Sequence, residues 1–205
     1  MEGERYEGVR FKVVLLSREA PRDGRLARLA YWCRRFHEAG LAPVVDGRSR
    51  GNLSFRLRSG GGEFVITASG LGPKDALDEG CFVKVLGFDL ERNVVYASGL
   101  REPSSESLLH GRVYELRGDV NAVFHGHSQL ILERAAELGL AETRRLCPYG
   151  SLDLVRSVEE VLDGEDFIVL KGHGFVSLGR TMDEAGERAM RVLAMCGSAG
   201  SPRGA

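Results

Sequence analysis

The chain has 205 residues, of which 43% are hydrophobic and 28% are charged. This size suits one domain with a full core better than two small domains. Its 28 basic and 29 acidic residues leave a net charge of -1, so electrostatics give no reason to expect nucleic acid or a membrane surface as a partner. No apolar stretch approaches the roughly 20 residues that span a bilayer, and the start lacks the features of a secretion signal. We therefore expect a cytoplasmic protein.

The first half of the chain predicts a strand, a helix and then four more strands. Residues 9–16 have the β-branched, apolar content of a strand, and apolar residues recur at helical spacing over residues 25–38. Further strand-like runs, separated by glycine-rich turns, follow at residues 53–58, 63–68, 81–86 and 93–97. Connections as short as these favour an antiparallel sheet.

The second half alternates strands with helices. The pattern predicts strands at residues 122–127, 167–170 and 175–178. It predicts helices at residues 104–117, 128–138, 152–162 and 182–195. Together the two halves predict an α/β fold, a single-domain sandwich with a largely antiparallel central sheet flanked by helices. We expect this domain to occupy residues 9–196, between a flexible N-terminus (1–8) and a disordered tail (197–205).

Three histidines in two short segments carry most of the chemical information. His125 and His127 follow an apolar run that reads as a strand, and alternate strand residues point to one face, so the two imidazoles can aim at a common point. His173, on a neighbouring strand, would complete a site with three nitrogen ligands and one open position, the arrangement of a catalytic zinc. Such pairs also occur by chance at polar strand edges, so the pattern alone leaves both interpretations open.

Three segments of small residues suit an anion. They are Gly-Asn-Leu-Ser at 51–54, Thr-Ala-Ser-Gly at 67–70 and Pro-Ser-Ser-Glu at 103–106. Ser104 and Ser105 would stand at the N-terminus of a helix, where free N–H groups and the helix dipole favour phosphate. The alternative is that Ser104 is an ordinary N-cap and that the glycines are ordinary turn residues.

In this order, these segments resemble the class II aldolase/adducin family over about residues 26–193. Further matching pieces are His110, Tyr114, Cys-Pro-Tyr at 147–149 and Asp-Glu-Ala at 183–185. The resemblance implies zinc ligands at His125, His127 and His173 and a catalytic carboxylate at Glu106. It also implies a substrate phosphate held by residues matching Asn52, Ser69, Gly70, Ser104 and Ser105, and a homotetramer with sites at subunit interfaces.

The implied activity is a metal-dependent aldolase for a small phosphorylated ketose, of the type that cleaves L-fuculose 1-phosphate. Cleaving a carbon–carbon bond beside a carbonyl leaves an enediolate, whose charge a zinc ion would stabilise as a Lewis acid. Manganese or cobalt would also suit such ligands. Glu106 could move the proton, provided that its pKa is raised enough to be protonated in one half of the cycle.

Several alternatives stay open. Gly126, between the paired histidines, and the short stretch before His173 depart from the aldolase pattern. A metal-dependent dehydratase of the methylthioribulose-1-phosphate type would use the same groups. A sugar-phosphate epimerase of the family is a further alternative, although the epimerases typically have aspartate at the position of Glu106. A Schiff-base aldolase would use Lys171, two residues before His173. An adducin-like structural module would keep the fold but is expected to lack the three histidines.

Overall fold

The computed structural model describes residues 8–198. Its helices are α1 (Leu26–Glu38), α2 (Ser107–Leu116), α3 (Gln129–Arg134), α4 (Leu152–Glu159) and α5 (Met182–Ser198). Its strands are β1 (Lys12–Ser17), β2 (Val44–Val45), β3 (Arg48–Ser49), β4 (Asn52–Arg56), β5 (Phe64–Thr67), β6 (Phe82–Asp89), β7 (Val94–Ser98), β8 (Ala122–Gly126), β9 (Ala141–Glu142), β10 (Phe167–Leu170) and β11 (Gly174–Gly179). None of the helices within residues 8–198 is long and apolar enough to cross a membrane.

One large sheet forms the centre of the protein. Its nine strands lie in the order β1, β7, β6, β5, β4, β8, β11, β10 and β9. Neighbouring strands are antiparallel except at the two edges, where β1 runs parallel to β7 and β9 runs parallel to β10. The predicted fold, a sandwich with a largely antiparallel central sheet flanked by helices, is confirmed.

Helices cover both faces of the sheet because its central strands are buried on both sides. Val123 and Phe124 are neighbours in β8 and point to opposite faces. Phe124 packs with α1, α3 and α5, whereas Val123 packs with α2 and α4. The core therefore has two halves, and β8 belongs to both.

The N-terminal strand, to which the sequence assigned no role, extends the sheet at one edge. Just before it, Phe11 is buried against the layer that contains α2 and α4. The guanidinium group of Arg10 lies 4.3 Å from the centre of the Tyr149 ring, and the Tyr149 hydroxyl donates to the carbonyl of Gly8 at 3.4 Å. Tyr149, from the Cys-Pro-Tyr segment that matches the family, thus contacts the segment before β1.

Several element boundaries differ from the prediction. Helix α2 begins three residues later than predicted because the Ser104 N–H donates to the Thr67 carbonyl, which draws that residue towards β5. Helix α3 ends at Arg134, four residues early, and α5 continues to Ser198. The remaining residues of the predicted termini, 1–7 and 199–205, lie outside the described residues.

The hairpin of β2 and β3 was missed, although its signal is present. Asp46 and Gly47 connect the two strands with φ angles of 51° and 73°. Two positive φ angles in a two-residue loop define a type I′ turn, for which Asp-Gly is a preferred sequence. The preceding valines are β-branched, as strands prefer. The sequence of residues 44–49 is therefore one from which a β-hairpin could have been predicted.

Gly126 is explained by the packing between β8 and β11. A Cβ atom at this position would lie 2.6 Å from the Phe175 ring and 3.0 Å from the Leu41 carbonyl oxygen. Phe175 is fully buried and stacks on Phe167, with ring centres 5.0 Å apart, so its ring has no room to move. The departure from the family pattern between the two histidines thus follows from an aromatic ring in the neighbouring strand.

We predict that Gly126→Ala destabilises the protein, because the added methyl group overpacks a filled site. Such overpacking costs about 1–3 kcal/mol in the free energy of unfolding, measured here by urea titration. Gly118→Ala is the matched control, since a Cβ at Gly118 meets no atom within 4 Å. Combining Gly126→Ala with Phe175→Leu should cost less than the sum of the two single changes. Strict additivity would contradict this explanation.

Candidate active site

The three histidines converge where β8 and β11 lie side by side. His125 lies in β8, His127 follows the end of that strand, and His173 immediately precedes β11. The antiparallel register places Phe175 opposite Gly126, which brings the beginning of β11 to the end of β8. One nitrogen of each imidazole lies within 4.8 Å of the other two. The geometry predicted from the His-x-His pattern is therefore present.

The nitrogen atoms suit a divalent metal ion. His125 Nδ1 lies 2.8 Å from the Phe175 carbonyl oxygen, and a carbonyl can only accept, so Nδ1 donates and Nε2 keeps its lone pair when the ring is neutral. That Nε2 lies 3.0 Å from His127 Nε2. Two nitrogen atoms on one zinc ion lie about 2.9–3.4 Å apart at the usual bond lengths and angles. The Phe175 carbonyl orients the ring as such partners do in metal sites.

Glu106 completes the cluster. Its side chain is 3% exposed and lies at the N-cap position of α2. One carboxylate oxygen lies 3.0 Å from His173 Nε2, and the other lies 3.0 Å from His125 Nε2. Asn52 Nδ2 donates to this second oxygen at 2.8 Å. The predicted catalytic carboxylate therefore faces the predicted metal ligands.

Burial acts in opposite directions on the pKa of the carboxyl group and on the pKa values of the histidines in this cluster. Burial lowers the pKa of His125 to about 4 and also brings the pKa of His127 well below its usual range. Burial alone would raise the pKa of Glu106, but His125, His173 and Asn52 outweigh it and bring the pKa well below the ordinary value. The raised pKa that the sequence interpretation required of Glu106 is absent here, and Glu106 is a carboxylate at neutral pH.

A row of polar side chains joins α2 to β4 and fixes the position of Glu106. Asn52 donates to Glu106, and the Ser54 hydroxyl lies 2.7 Å from both His110 Nδ1 and the Tyr114 hydroxyl. Every second residue of a strand and every fourth residue of a helix share a face, at spacings of about 6.8 and 6 Å. The two elements can therefore pair side chain by side chain along their lengths. His110 and Tyr114, which also match the family pattern, belong to this row.

The residues predicted to hold phosphate lie on three adjoining segments. The Ser69 N–H donates to the Glu102 carbonyl at 2.9 Å, and Ala68 forms an isolated β-bridge with Pro103. These bonds place the segment with Ser69 and Gly70 beside the segment with Ser104 and Ser105. The alternative interpretation of Ser104 as an ordinary N-cap is wrong, since Glu106 occupies that position and Ser104 precedes it by two residues. A phosphate role for Asn52, Ser69, Gly70, Ser104 and Ser105 stays a prediction.

Two lysines near the cluster differ in burial, and the one proposed from the sequence is the exposed one. Lys171, the candidate for Schiff-base chemistry, lies in the turn before β11 with its side chain exposed. Lys74 is buried, and its Nζ donates to the carbonyls of Arg50 and Gly51 at 3.0 and 2.5 Å. Neither the burial of Lys74 nor the linking role of Ser54 was predicted from the sequence. The scarcity of lysine in an arginine-rich chain was the available signal for Lys74.

Because its buried histidines resist protonation, we predict that the folded protein loses stability in acid. A substitution of His110 measures the contribution of one of these histidines. Burial lowers the pKa of His110 to about 3, against about 6.5 in an unfolded chain. Between these values the unfolded state binds a proton that the folded state excludes, so stability falls as the pH falls from about 6.5 towards 3. One such group contributes a slope of up to about 1.4 kcal/mol per pH unit. His110→Gln should reduce the slope by that amount, in urea titrations with chelator present throughout.

Chelator keeps His125 and His127 in the same state in both proteins, so the difference in slope reports His110. Their own contributions then cancel. If the free energy of unfolding has the same slope between pH 6 and 4 in the unmodified protein and in His110→Gln, then His110 is not a neutral, buried group.

Known proteins resemble this chain along most of its length. The sequence profile of the Class II Aldolase and Adducin N-terminal domain matches residues 27–198. An L-fuculose phosphate aldolase of Methanococcus maripaludis is 31% identical over 151 residues, which cover 67% of this chain and 77% of the relative. A methylthioribulose-1-phosphate dehydratase of Methylococcus capsulatus is 29% identical over 184 residues, covering 72% of this chain and 82% of the relative.

The fold is also shared with solved structures. A structure of L-fuculose 1-phosphate aldolase superposes with a TM-score of 0.67 at 21% sequence identity, covering 89% of this chain and 91% of that one. The profile match spans well over half of the sequence and includes Glu106 and all three histidines of the cluster. The chain belongs to the class II aldolase and adducin family.

Proposed function

We propose that the protein is a zinc-dependent aldolase that cleaves a small phosphorylated ketose, similar to L-fuculose-1-phosphate aldolase. The observation that carries the proposal is the cluster itself: three imidazole nitrogens within 4.8 Å of one another, with the Glu106 carboxylate 3.0 Å from two of them. Three nitrogen ligands beside a carboxylate suit catalysis rather than a structural metal site. An adducin-like structural module would have no use for this arrangement.

The bound zinc ion would supply Lewis acidity, which stabilises negative charge on the carbonyl oxygen of the substrate. Glu106 moves the protons. As a carboxylate it accepts the proton of the substrate hydroxyl while the carbon–carbon bond breaks, which releases an aldehyde and leaves an enediolate. It then returns that proton to the enediolate carbon, which gives the second carbonyl product.

Asn52 keeps the carboxylate in place during this exchange. Its amide donates to one Glu106 oxygen at 2.8 Å, which holds the carboxylate beside His125. The segments with Ser69, Gly70, Ser104 and Ser105 would hold the phosphate at the remote end of the substrate. Binding energy from that end would orient the reacting carbons.

A metal-dependent dehydratase is the second candidate. Its support is the Methylococcus capsulatus relative, which aligns over more of this chain than the Methanococcus maripaludis aldolase does. The same carboxylate could remove a proton from the carbon beside the carbonyl and pass it to the neighbouring hydroxyl, which then leaves as water. Both reactions begin from a ketose phosphate and need the same three histidines.

We also propose a homotetramer, as the resemblance implies. Leu146, which is 70% exposed, lies in the segment that follows β9, and Val44 and Val45 expose apolar surface on the β2–β3 hairpin. Contacts with a second copy of the chain would remove these side chains from water. The segment 142–150 also leads from β9 back to Ser105, so such contacts would form near the proposed phosphate segments.

We predict that the protein releases an aldehyde from a ketose 1-phosphate and that chelation abolishes this activity. The measurement is a screen of ketose 1-phosphates with a coupled aldehyde assay, together with detection of dehydrated ketone in the same samples. Restoring zinc should restore turnover, because the metal ligands themselves are unchanged. A dehydrated ketone without aldehyde would favour the dehydratase. Activity that persists in chelator would contradict both metal-dependent candidates.

Glu106→Gln tests the proton-transfer role directly. The amide keeps the size of the side chain but cannot exchange a proton, so kcat should fall by about 10²–10⁴. Bound zinc, measured by atomic emission, should stay at the level of the unmodified protein. His125→Ala is the matched contrast, since it should lose the metal as well as the activity. Undiminished kcat in a zinc-loaded Glu106→Gln protein would exclude Glu106 as the proton carrier.

A further inference from the structure

Lys74 is a buried cation that the proposed chemistry leaves unexplained. It is 2% exposed, and its Nζ donates only to uncharged acceptors, the carbonyls of Arg50 and Gly51. Within residues 8–198 no carboxylate forms an ion pair with it. Burial lowers its pKa to about 8, so the group still carries its charge at neutral pH. Glu106 attracts this charge only from a distance. A buried charge without an ion pair is unfavourable for folding, and proteins seldom retain one without a use.

Lys74 connects two of the three segments proposed to bind phosphate. One of its acceptors, Gly51, directly precedes Asn52, and Lys74 itself lies four residues after Gly70. Between these segments the Ser49 N–H donates to the Leu71 carbonyl at 2.8 Å. The ammonium group therefore binds the backbone directly before Asn52, and that backbone is hydrogen-bonded to the segment that follows Gly70.

The Gly51 carbonyl that Lys74 holds is in a tightly constrained place. Gly51 has a φ of +74°, and a Cβ there would lie 2.7 Å from the His125 carbonyl oxygen. Gly51 thus packs closely against β8, and its carbonyl accepts a hydrogen bond from Lys74. A shift of its peptide group would move Asn52, whose amide donates to Glu106.

We infer that Lys74 is the positioning residue of the phosphate-binding segments, and that its charge makes the site selective for a phosphate over an uncharged group. The ammonium group holds the Gly51 carbonyl, and its positive charge, unpaired by any carboxylate, attracts a dianion placed against Asn52, Ser69 and Gly70. Opposite charges attract more strongly inside a protein than in water, so the lysine can act without touching the anion. The inference rests on the proposed phosphate site and is independent of the bond that is cleaved.

The first experiment uses the unaltered protein. The chain has four lysines, Lys12, Lys74, Lys84 and Lys171, so ¹⁵N labelling of lysine gives an NMR spectrum simple enough to assign each Nζ. Inorganic phosphate is the probe, and sodium chloride at equal ionic strength is the control. We expect a saturable shift of the Lys74 signal with phosphate and none with chloride, while Lys12 and Lys84 stay unchanged. A Lys74 signal that phosphate leaves in place would overturn the inference.

The second experiment removes the charge and keeps the length of the side chain. Lys74→Met should weaken the binding of inorganic phosphate, measured by calorimetry, by about tenfold or more. Bound zinc should be unchanged, and KM for a phosphorylated substrate should rise by a larger factor than kcat falls. Lys12→Met, which alters an exposed lysine in β1, should bind phosphate as the unmodified protein does.

Two outcomes separate a specific role from a structural one. A folded Lys74→Met protein with normal phosphate affinity and lower thermal stability would show that Lys74 only supports the fold. If this variant does not fold, the NMR titration of the unaltered protein decides the question. Failure to release an aldehyde, with the Lys74 response intact, would overturn the proposed reaction and leave this inference standing.

Discussion

The site depends on the pairing of α2 with β4. Asn52 contacts Glu106, Ser54 contacts His110 and Tyr114, and the Arg56 guanidinium lies 4.8 Å from the centre of the Tyr114 ring. A shift of α2 by one turn would leave these buried groups unpaired, and each unsatisfied group costs about 1–3 kcal/mol. In the adjoining pair of strands, Asn52 lies opposite His125. The same strand therefore fixes the carboxylate on one side and the first histidine on the other.

Much of this arrangement was predictable because its parts are local in sequence. Alternation along β8 and the small residues before α2 depend on neighbouring residues, and the strands and helices predicted from them are present. The proximity of His173 to His125 and His127 depends on β11 pairing with β8, a contact that no local pattern specifies. The beginning of α2 was misplaced for a similar reason, since the bond from Ser104 to Thr67 joins segments distant in sequence. Lys74 was missed because burial of a lysine follows from the tertiary fold alone.

Gly126 shows how a departure from a family pattern can have a packing cause. The residue between the two histidines lies under the Phe175 ring, and a larger side chain there would collide with that ring or with the Leu41 carbonyl. The same Phe175 accepts a hydrogen bond from His125 through its backbone. One residue of β11 thus fills the core with its side chain and orients a predicted metal ligand with its carbonyl. The small residue and the oriented imidazole are two consequences of one strand pairing.

The two buried charges near the cluster are linked through adjacent residues. Glu106 receives a hydrogen bond from the Asn52 side chain, and Lys74 donates one to the carbonyl of the preceding residue, Gly51. The anion and the cation attract each other electrostatically, although they form no ion pair within the described residues. Moving the 51–52 peptide away from either group would leave a charge without its hydrogen-bonding partner in a low-dielectric interior, where such losses are most costly. The segment that begins β4 is therefore held from both ends, and this gives Asn52 the fixed position that the proposed proton transfer by Glu106 requires.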